Sequence, residues 1–428
     1  MRAIMNTPNE MKQMGRGPMR KLLLAGAALL FASPAIAEPG LPDEAAVAAA
    51  LDAHPSVKAA MARTGAARAQ ARALARGSHE VTFSGSYINR SVDREGSFDE
   101  FDGQLTRSFR LPGKARLDRE IGQYGVSAAE NRAEDARHQA ALLLAQSWWD
   151  WLGAAEEARV DRQAAENYTK LLEAVRRRVA VRDAAQLDAD QAEAALGSAR
   201  VAAEQSAGRE AMARARLATQ FPGLPLGDSA PPVPMPALPE KGISALGQLV
   251  IQHSHEIAAA DADAQRADAS ASRARADRIA DPSFGVRMFS ERGGAERGAG
   301  VLFSMPLGGG HRKALADLAE AEASATLSDA MAVRFAVKET AETDMTEARF
   351  RFAAWQRARE GLKAQLAALQ KLREGHKAGE IDLSDELLGE RQVHDAFRLE
   401  AQARTEAMRA LTRLRIDSHS IWIGQDED

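Results

Sequence analysis

The sequence predicts a mainly α chain with a small β portion, built as two copies of a helix-strand-strand-helix unit with four strands in all. Three observations carry this. Hydrophobic residues make up 45% of the 428, yet aromatics are only 5% and alanine supplies much of the remainder, so the chain is rich in the best helix former and poor in bulky core groups. The chain repeats itself at a period of about 195 to 201 residues. Two pairs of short alternating segments interrupt the helical stretches. Long helices packed closely side by side suit such a composition better than one compact core.

Residues 1–37 read as a signal peptide. Arg20 and Lys21 precede the apolar run Leu22 to Phe31, and Ala35-Ile36-Ala37 forms the cleavage site. Cleavage leaves Glu38 first, and Met19 competes with Met1 as the start. The run is too short to span a membrane, and no later stretch reaches about 18 apolar residues. With the signal go five basic residues and one acidic, which moves the formal net charge from −4 to −8. That balance argues against a nucleic-acid partner. The chain has no cysteine, which excludes disulfides, thiolate metal sites and a lipidated N-terminal cysteine in an exported protein.

The repeats divide the mature chain into a first unit over 38–220, a linker over 221–240, a second unit over 241–416 and a tail over 417–428. "LDAHPSVKAAMARTGAARAQARALARG" (51–77) matches "IQHSHEIAAADADAQRADASASRARAD" (251–277), each expected as an unbroken alanine-rich helix. After each strand pair comes a Pro-Gly turn: "FRLPGKAR" with Pro112 and Gly113, then "SMPLGGGHRK" with Pro306 and Gly308. The Gly-rich turn of the later copy has the outline of a phosphate loop, but Arg312 and Lys313 are followed by Ala314, with no hydroxyl for magnesium. Used twice, the device reads as a strand-to-helix junction. Each launches a helix of about 65 residues, roughly 100 Å long. The helices turn back at "RRRVAVRDAAQLDADQAEAAL" (176–196) and "LREGHKAGEIDLSDELLGERQ" (372–392), aligned so that Asp183 matches Gly379 and Leu187 matches Leu383. The linker, with seven prolines, reads as a semi-rigid connector or as a belt packed outside a helical tube.

In "EVTFSGSYINR" (80–90), Val81, Phe83, Gly85 and Tyr87 share one face; in "FDGQLTRSFRL" (101–111), Phe101, Leu105, Phe109 and Leu111 do. Phe284, Val286 and Met288, then Val301, Phe303 and Met305, repeat the pattern. "SVDREGSFDE" and "SERGGAERG" read as the intervening loops. A membrane barrel strand and an ordinary soluble hairpin both fit this alternation. Four strands cannot close a spanning barrel, whereas three chains would supply twelve.

No enzyme chemistry is legible: no Ser-His-Asp arrangement keeps register with the repeats. No metal site or cofactor is expected either. The nine histidines are scattered, His253 and His255 are expected on different faces of one helix, and the methionines are isolated. Trp148, Trp149 and Trp151 read as packing between helices.

"RLPGKAR", "KAGEIDLSDELL" and "VRDAAQLDADQAEAAL", set in this signal-plus-repeat layout, resemble the TolC family of outer-membrane efflux proteins, and the last is most similar to its heavy-metal cation-efflux, CzcC-like branch. The resemblance implies a homotrimer: a twelve-stranded transmembrane β-barrel in outer-membrane lipid above an α-helical tunnel crossing the periplasm. It implies a passive duct rather than an enzyme, meeting a periplasmic adaptor (membrane fusion protein) and an inner-membrane pump of RND type, with heavy-metal cations as cargo. A drug-efflux or type I secretion duct of the same fold, and a periplasmic coiled-coil scaffold without a barrel, are the alternatives. It also implies an acidic pore constriction at Asp385, with Glu386 and Asp382 nearby; the family's second acidic position falls on Leu388. Three facing carboxylates favour cations and raise one another's pKa, while Asp385 as a solvated surface residue is the competing reading. A gate contact between His376 and Asp188 is implied in the same way, although Ile381 stands where a basic residue would help it.

Overall fold

The computed structural model describes residues 39–423. The signal peptide expected over 1–37 and the end of the chain from 424 lie outside the described residues. The first repeat runs α1 (Glu44–Ala53), α2 (Pro55–Arg76), β1 (Val81–Val92), β2 (Gly96–Ser108), α3 (Lys114–Ala180) and α4 (Gln186–Gln220). The second runs α5 (Ile243–Gln252), α6 (His255–Ala276), β3 (Ser283–Glu291), β4 (Glu296–Ser304), α7 (Gly310–Ala378) and α8 (Leu383–Asp417). The match is close: α2 and α6 each have 22 residues, α4 and α8 each have 35, and α3 and α7 have 67 and 69.

The helices expected to run unbroken over 51–77 and 251–277 both break near their start. His54 is extended (φ −65°, ψ 135°) and Pro55 opens α2, because proline lacks the N–H that a continuing helix needs but suits a first turn. Ser254 is extended too, and its hydroxyl accepts the Ile257 N–H at 3.2 Å, an N-cap that starts α6 afresh.

The four strands form one antiparallel sheet in the order β1-β2-β3-β4, so β2 and β3 join the repeats. Cross-strand rows run Val81-Arg107-Phe284-Phe303 and Phe83-Leu105-Val286-Val301. Side chains of one row share a face, and this face exposes Phe83 (74%), Val286 (53%) and Val301 (84%). The opposite face carries Ser84, Gln104 and Arg287 in one row and Asp102 in the next, with Arg287 paired to Asp102. The expected loops are shorter than read from composition. Pairing continues through Ser91↔Ser97 and Val92↔Gly96, and the turn narrows to residues 93–95 because Gly96 takes φ 98°. The turn between β3 and β4 is a short 3₁₀ segment, Arg292–Gly294.

The largest apolar cluster forms where α1, α3, α4 and the linker meet: Trp149 and Trp151 are fully buried beside Val47, Leu51, Leu217 and Ile416. The Trp149 indole N–H donates to Thr412 Oγ1 at 3.1 Å and that of Trp148 to the Gly40 carbonyl at 2.8 Å. The prolines of 221–240 do not make a free connector. Phe221, Leu224, Ala230 and Val233 are buried in this cluster, and Arg404 donates to the Val233 carbonyl at 3.0 Å, so the segment is a packed belt. Residues 417–423 are likewise no loose tail, since Trp422 and Ile423 join the same core.

The end of α8 is anchored by a buried polar network. His138 Nε2 meets Asp417 Oδ1 at 2.7 Å, and Arg413 reaches Asp344 Oδ1 at 3.0 Å and Asp417 Oδ2 at 3.5 Å. Burial, reinforced by the hydrogen bond and charge of Asp417, pushes the Asp344 carboxyl up to about 8. Asp417 resists its burial and is held below the ordinary carboxylate value by His138 and Asp344. Between the ordinary value of roughly 4 and about 8 the folded protein keeps an Asp344 proton that the unfolded chain has lost, so stability falls as pH rises through that window. Thermal melts of the purified protein are expected to show a lower melting temperature at pH 8 than at pH 5.5. Asp344→Asn, which resembles the protonated acid, is expected to flatten that slope.

Candidate functional site

Besides the network at the end of α8, polar side chains gather at the neck, where strands pass into long helices, and at the tips, where helices turn back. At the neck, Pro112 and Gly113 stand between β2 and α3, with Gly113 at φ 90°. The residue that follows, Lys114, is 1% exposed. Its ammonium donates to the Ile279 carbonyl at 2.7 Å, to Asp281 Oδ1 at 2.8 Å and to Asp277 Oδ1 at 2.9 Å. Asp281 also accepts the Leu111 N–H at 3.0 Å and contacts the His79 ring at 3.0 Å. Beside it, Asp118 receives Arg110 at 2.8 Å and Arg273 at 2.7 Å. Burial opposes ionisation of Asp277 and Asp281, but Arg273 and Lys114 outweigh it for the first, and Lys114 with the Leu111 N–H for the second, so both sit below the ordinary range. Every one of these contacts joins or braces the two repeats.

The junction of the later repeat differs. Pro306 and Gly308 stand between β4 and α7, Gly308 has φ 84°, and Gly310 occupies the first helical position that Lys114 holds in α3. No lysine clamp can form there. In the sequence the only signal for this clamp is the basic residue directly after the turn of "FRLPGKAR", and Lys114 is not among the residues the repeat pattern singles out.

At the tips, α3 and α4 meet through residues 181–185, α7 and α8 through 379–382. The left-handed position is held by Arg182 (φ 63°) in one and Gly379 (φ 76°) in the other. Arg182 therefore matches Gly379, one residue from the expected Asp183 pairing, and Gln186 rather than Leu187 matches Leu383. Leu383 is buried with Val175 and Ala189, so the tip of the later hairpin seats itself on the first hairpin.

The three acidic residues of the expected constriction stand in different surroundings. Asp382 is the N-cap residue of α8 and exposed, and Asp385 is exposed on its first turn. Glu386 is buried and turns into its own hairpin, where it pairs with His376 Nδ1. Its carboxylate is thus engaged within the hairpin. His376 Nε2 faces Arg178 Nη1 at 3.2 Å, and Arg178 Nε donates to Asp183 Oδ2 at 2.9 Å. Asp188 instead caps α4, accepting the Ala185 N–H at 3.1 Å. The contact between hairpins thus runs from His376 to Arg178, not to Asp188. Accepting from a guanidinium requires a lone pair on Nε2, which places the ring proton on Nδ1 toward Glu386. Further from the tip, α8 is tied to α3 by His394–Asp161 (2.8 Å), Arg404–Glu156 (2.6 Å) and Arg409–Asp150 (2.6 Å).

The chain has no matching family model, and no curated protein matches it. Solved structures do. The outer-membrane channel OprN superposes with a TM-score of 0.72 at 20% identity, over 89% of this chain and 90% of that one. The outer membrane protein VceC from Vibrio cholerae gives 0.71 at 18%, over 90% and 96%. The MtrE outer membrane channel of Neisseria gonorrhoeae in its open state gives 0.71 at 19%, over 90% of each. The chain thus shares their fold, mainly helical with a four-stranded antiparallel sheet.

Two substitutions probe these networks. Lys114→Ala takes the ammonium from the largely buried Asp281 and from Asp277, whose side chain is 45% exposed, and is expected to cost about 3 kcal/mol, the low end for breaking a buried pair, read as a loss of folded protein or a lowered denaturation midpoint. Arg178→Ala removes the link between the hairpins and is expected to speed amide exchange at residues 372–383 while leaving the neck protected.

Proposed function

We propose that three copies of this chain form the outer-membrane exit duct of a tripartite efflux system, the heavy-metal cation being its cargo. The observation that carries the reading is the outward face of the sheet. The rows Phe83-Leu105-Val286-Val301 and Gly85-Gly103-Met288-Ala299 there are bracketed by aromatic contacts, Tyr87–Phe101 (5.3 Å) at one end and Phe109–Phe284–Phe303 (5.9 and 5.1 Å) at the other. An apolar band between two aromatic girdles is the arrangement of a transmembrane barrel wall. Strands of 9 to 13 residues match the 9 to 11 that a tilted strand needs to cross. Among the described residues no helix is long and apolar enough to do so. The likeness of the fold to solved outer-membrane channels supports the same reading.

Backbone groups cannot stay unpaired in hydrocarbon, so β1 and β4 need partners, and three chains closing β4 on the next β1 supply a twelve-stranded barrel. The long helices then form the periplasmic tunnel, whose tips meet a periplasmic adaptor and an inner-membrane pump of RND type. In that ring three Asp385 side chains face the axis. Their charge concentrates cations and rejects anions, and the Arg178–His376 contacts hold the hairpins closed.

Three measurements test this. On intact cells, added proteinase is expected to cut at residues 93–95 and 292–295; protection of both turns would remove the barrel. A strain lacking the chain is expected to become sensitive to some of zinc, cadmium, cobalt, nickel, copper and silver salts. Sensitivity confined to detergents and dyes would leave the duct and reject the metal cargo. In planar bilayers, Asp385→Asn is expected to lower the preference for cations over anions.

A further inference from the structure

Where α5 gives way to α6, four histidine rings gather although the sequence scatters them. His419 lies 5.5 Å from His138, 5.7 Å from His253 and 4.9 Å from His255, centroid to centroid. The expectation that His253 and His255 point to different faces of one helix fails because Ser254 ends one helix and starts another. Two carboxylates complete the group: the donor atoms of Asp135, His138 and Glu256 lie within 4.8 Å of one another.

We propose that Asp135, His138 and Glu256 form a resident binding site for a borderline divalent transition cation such as zinc. His138 Nε2 is taken by Asp417 at 2.7 Å, and Nδ1 is buried with no hydrogen-bond partner. A carboxylate behind a histidine in this way fixes the tautomer and leaves the other nitrogen's lone pair for a metal. The residue is 6% exposed, so a bare Nδ1 there is costly unless something binds it. Donors around zinc at about 2.1 Å stand roughly 3.4 Å apart, so small rotamer changes draw the three atoms onto one ion. One nitrogen and two carboxylate oxygens suit zinc or cobalt, with a fourth place left for water. Asp135 and Glu256 are only half-buried, which leaves an approach from solvent.

The fold itself does not call for these residues. In the first repeat the positions of His253, His255 and Glu256 are Ala53, Pro55 and Ser56, and a helix break forms there with none of them. The site would fasten α3 to α6 beside the end of α8. It does not rest on the duct reading, since it lies on other elements than the Asp385 turn.

The test uses the full-length mature protein in detergent, stripped with a chelator and dialysed against zinc chloride. One zinc per chain is expected to remain, and Co(II) in its place is expected to give the intense visible absorption of a four-coordinate site. Glu256→Gln and Asp135→Asn, both at half-exposed positions, are expected to weaken zinc at least tenfold. Asp417→Asn is expected to weaken it ten- to a hundredfold, as loss of a supporting carboxylate does. Glu204→Gln, at an exposed position on α4, is expected to leave it unchanged. Wild-type protein retaining no zinc, or zinc retained equally by Glu256→Gln and Asp135→Asn in folded protein, would overturn the site.

Discussion

The Lys114 ammonium sits where sheet, repeats and longest helices converge. It is nearly inaccessible and surrounded by a carbonyl and two carboxylates, all from the second repeat. A buried charge is tolerable only when it is paired and fully hydrogen-bonded, so Lys114 holds the loop after α6 in one place. That loop in turn sets where β3 begins, and β3 pairs with β2 in a register that puts Phe284 and Val286 beside Arg107 and Leu105. The apolar face of the sheet therefore depends on an ionic contact just below it. Arg110, Asp118 and Arg273 brace the same junction from the other side.

From the neck the helices descend as two hairpins, and the attachment between them changes character along their length. Near the belt, charged pairs from α8 to α3 are backed by tryptophan packing and a buried acidic network. At the tips, Leu383 in its small apolar cluster and the His376–Arg178 contact do the work. The end that opens in the proposed duct is thus the end with the less extensive attachment, as expected of moving elements. The prolines of 221–240 matter here, because a belt buried against α1 and α3 braces the upper half without adding to the tips.

Much of this was legible in the chain. Repetition exposed the twofold layout, alanine content the long helices, and alternation the outward face of each strand. What escaped depended either on a single local hydrogen bond or backbone conformation, or on distances between segments far apart in sequence. The break at Ser254 is one hydroxyl on one N–H, yet it decides where His253 and His255 point. Arg182 in a left-handed position disguised the tip register, since glycine marks that position in the other copy. Glu386 and Asp385 are adjacent in sequence and differ in burial, which helix phase determines and residue type does not. Lys114 and His138 become informative only when their partners, more than a hundred residues away, are in place.

The central claim is that four strands with an apolar outer face and two unpaired edges are one third of a closed wall. Native mass spectrometry of the protein released from detergent tests it directly. Three mature chains in one assembly, stable as detergent is removed in the gas phase, is the predicted result. A monomer or a dimer as the only species would contradict the account, because neither brings enough strands to close β4 on β1.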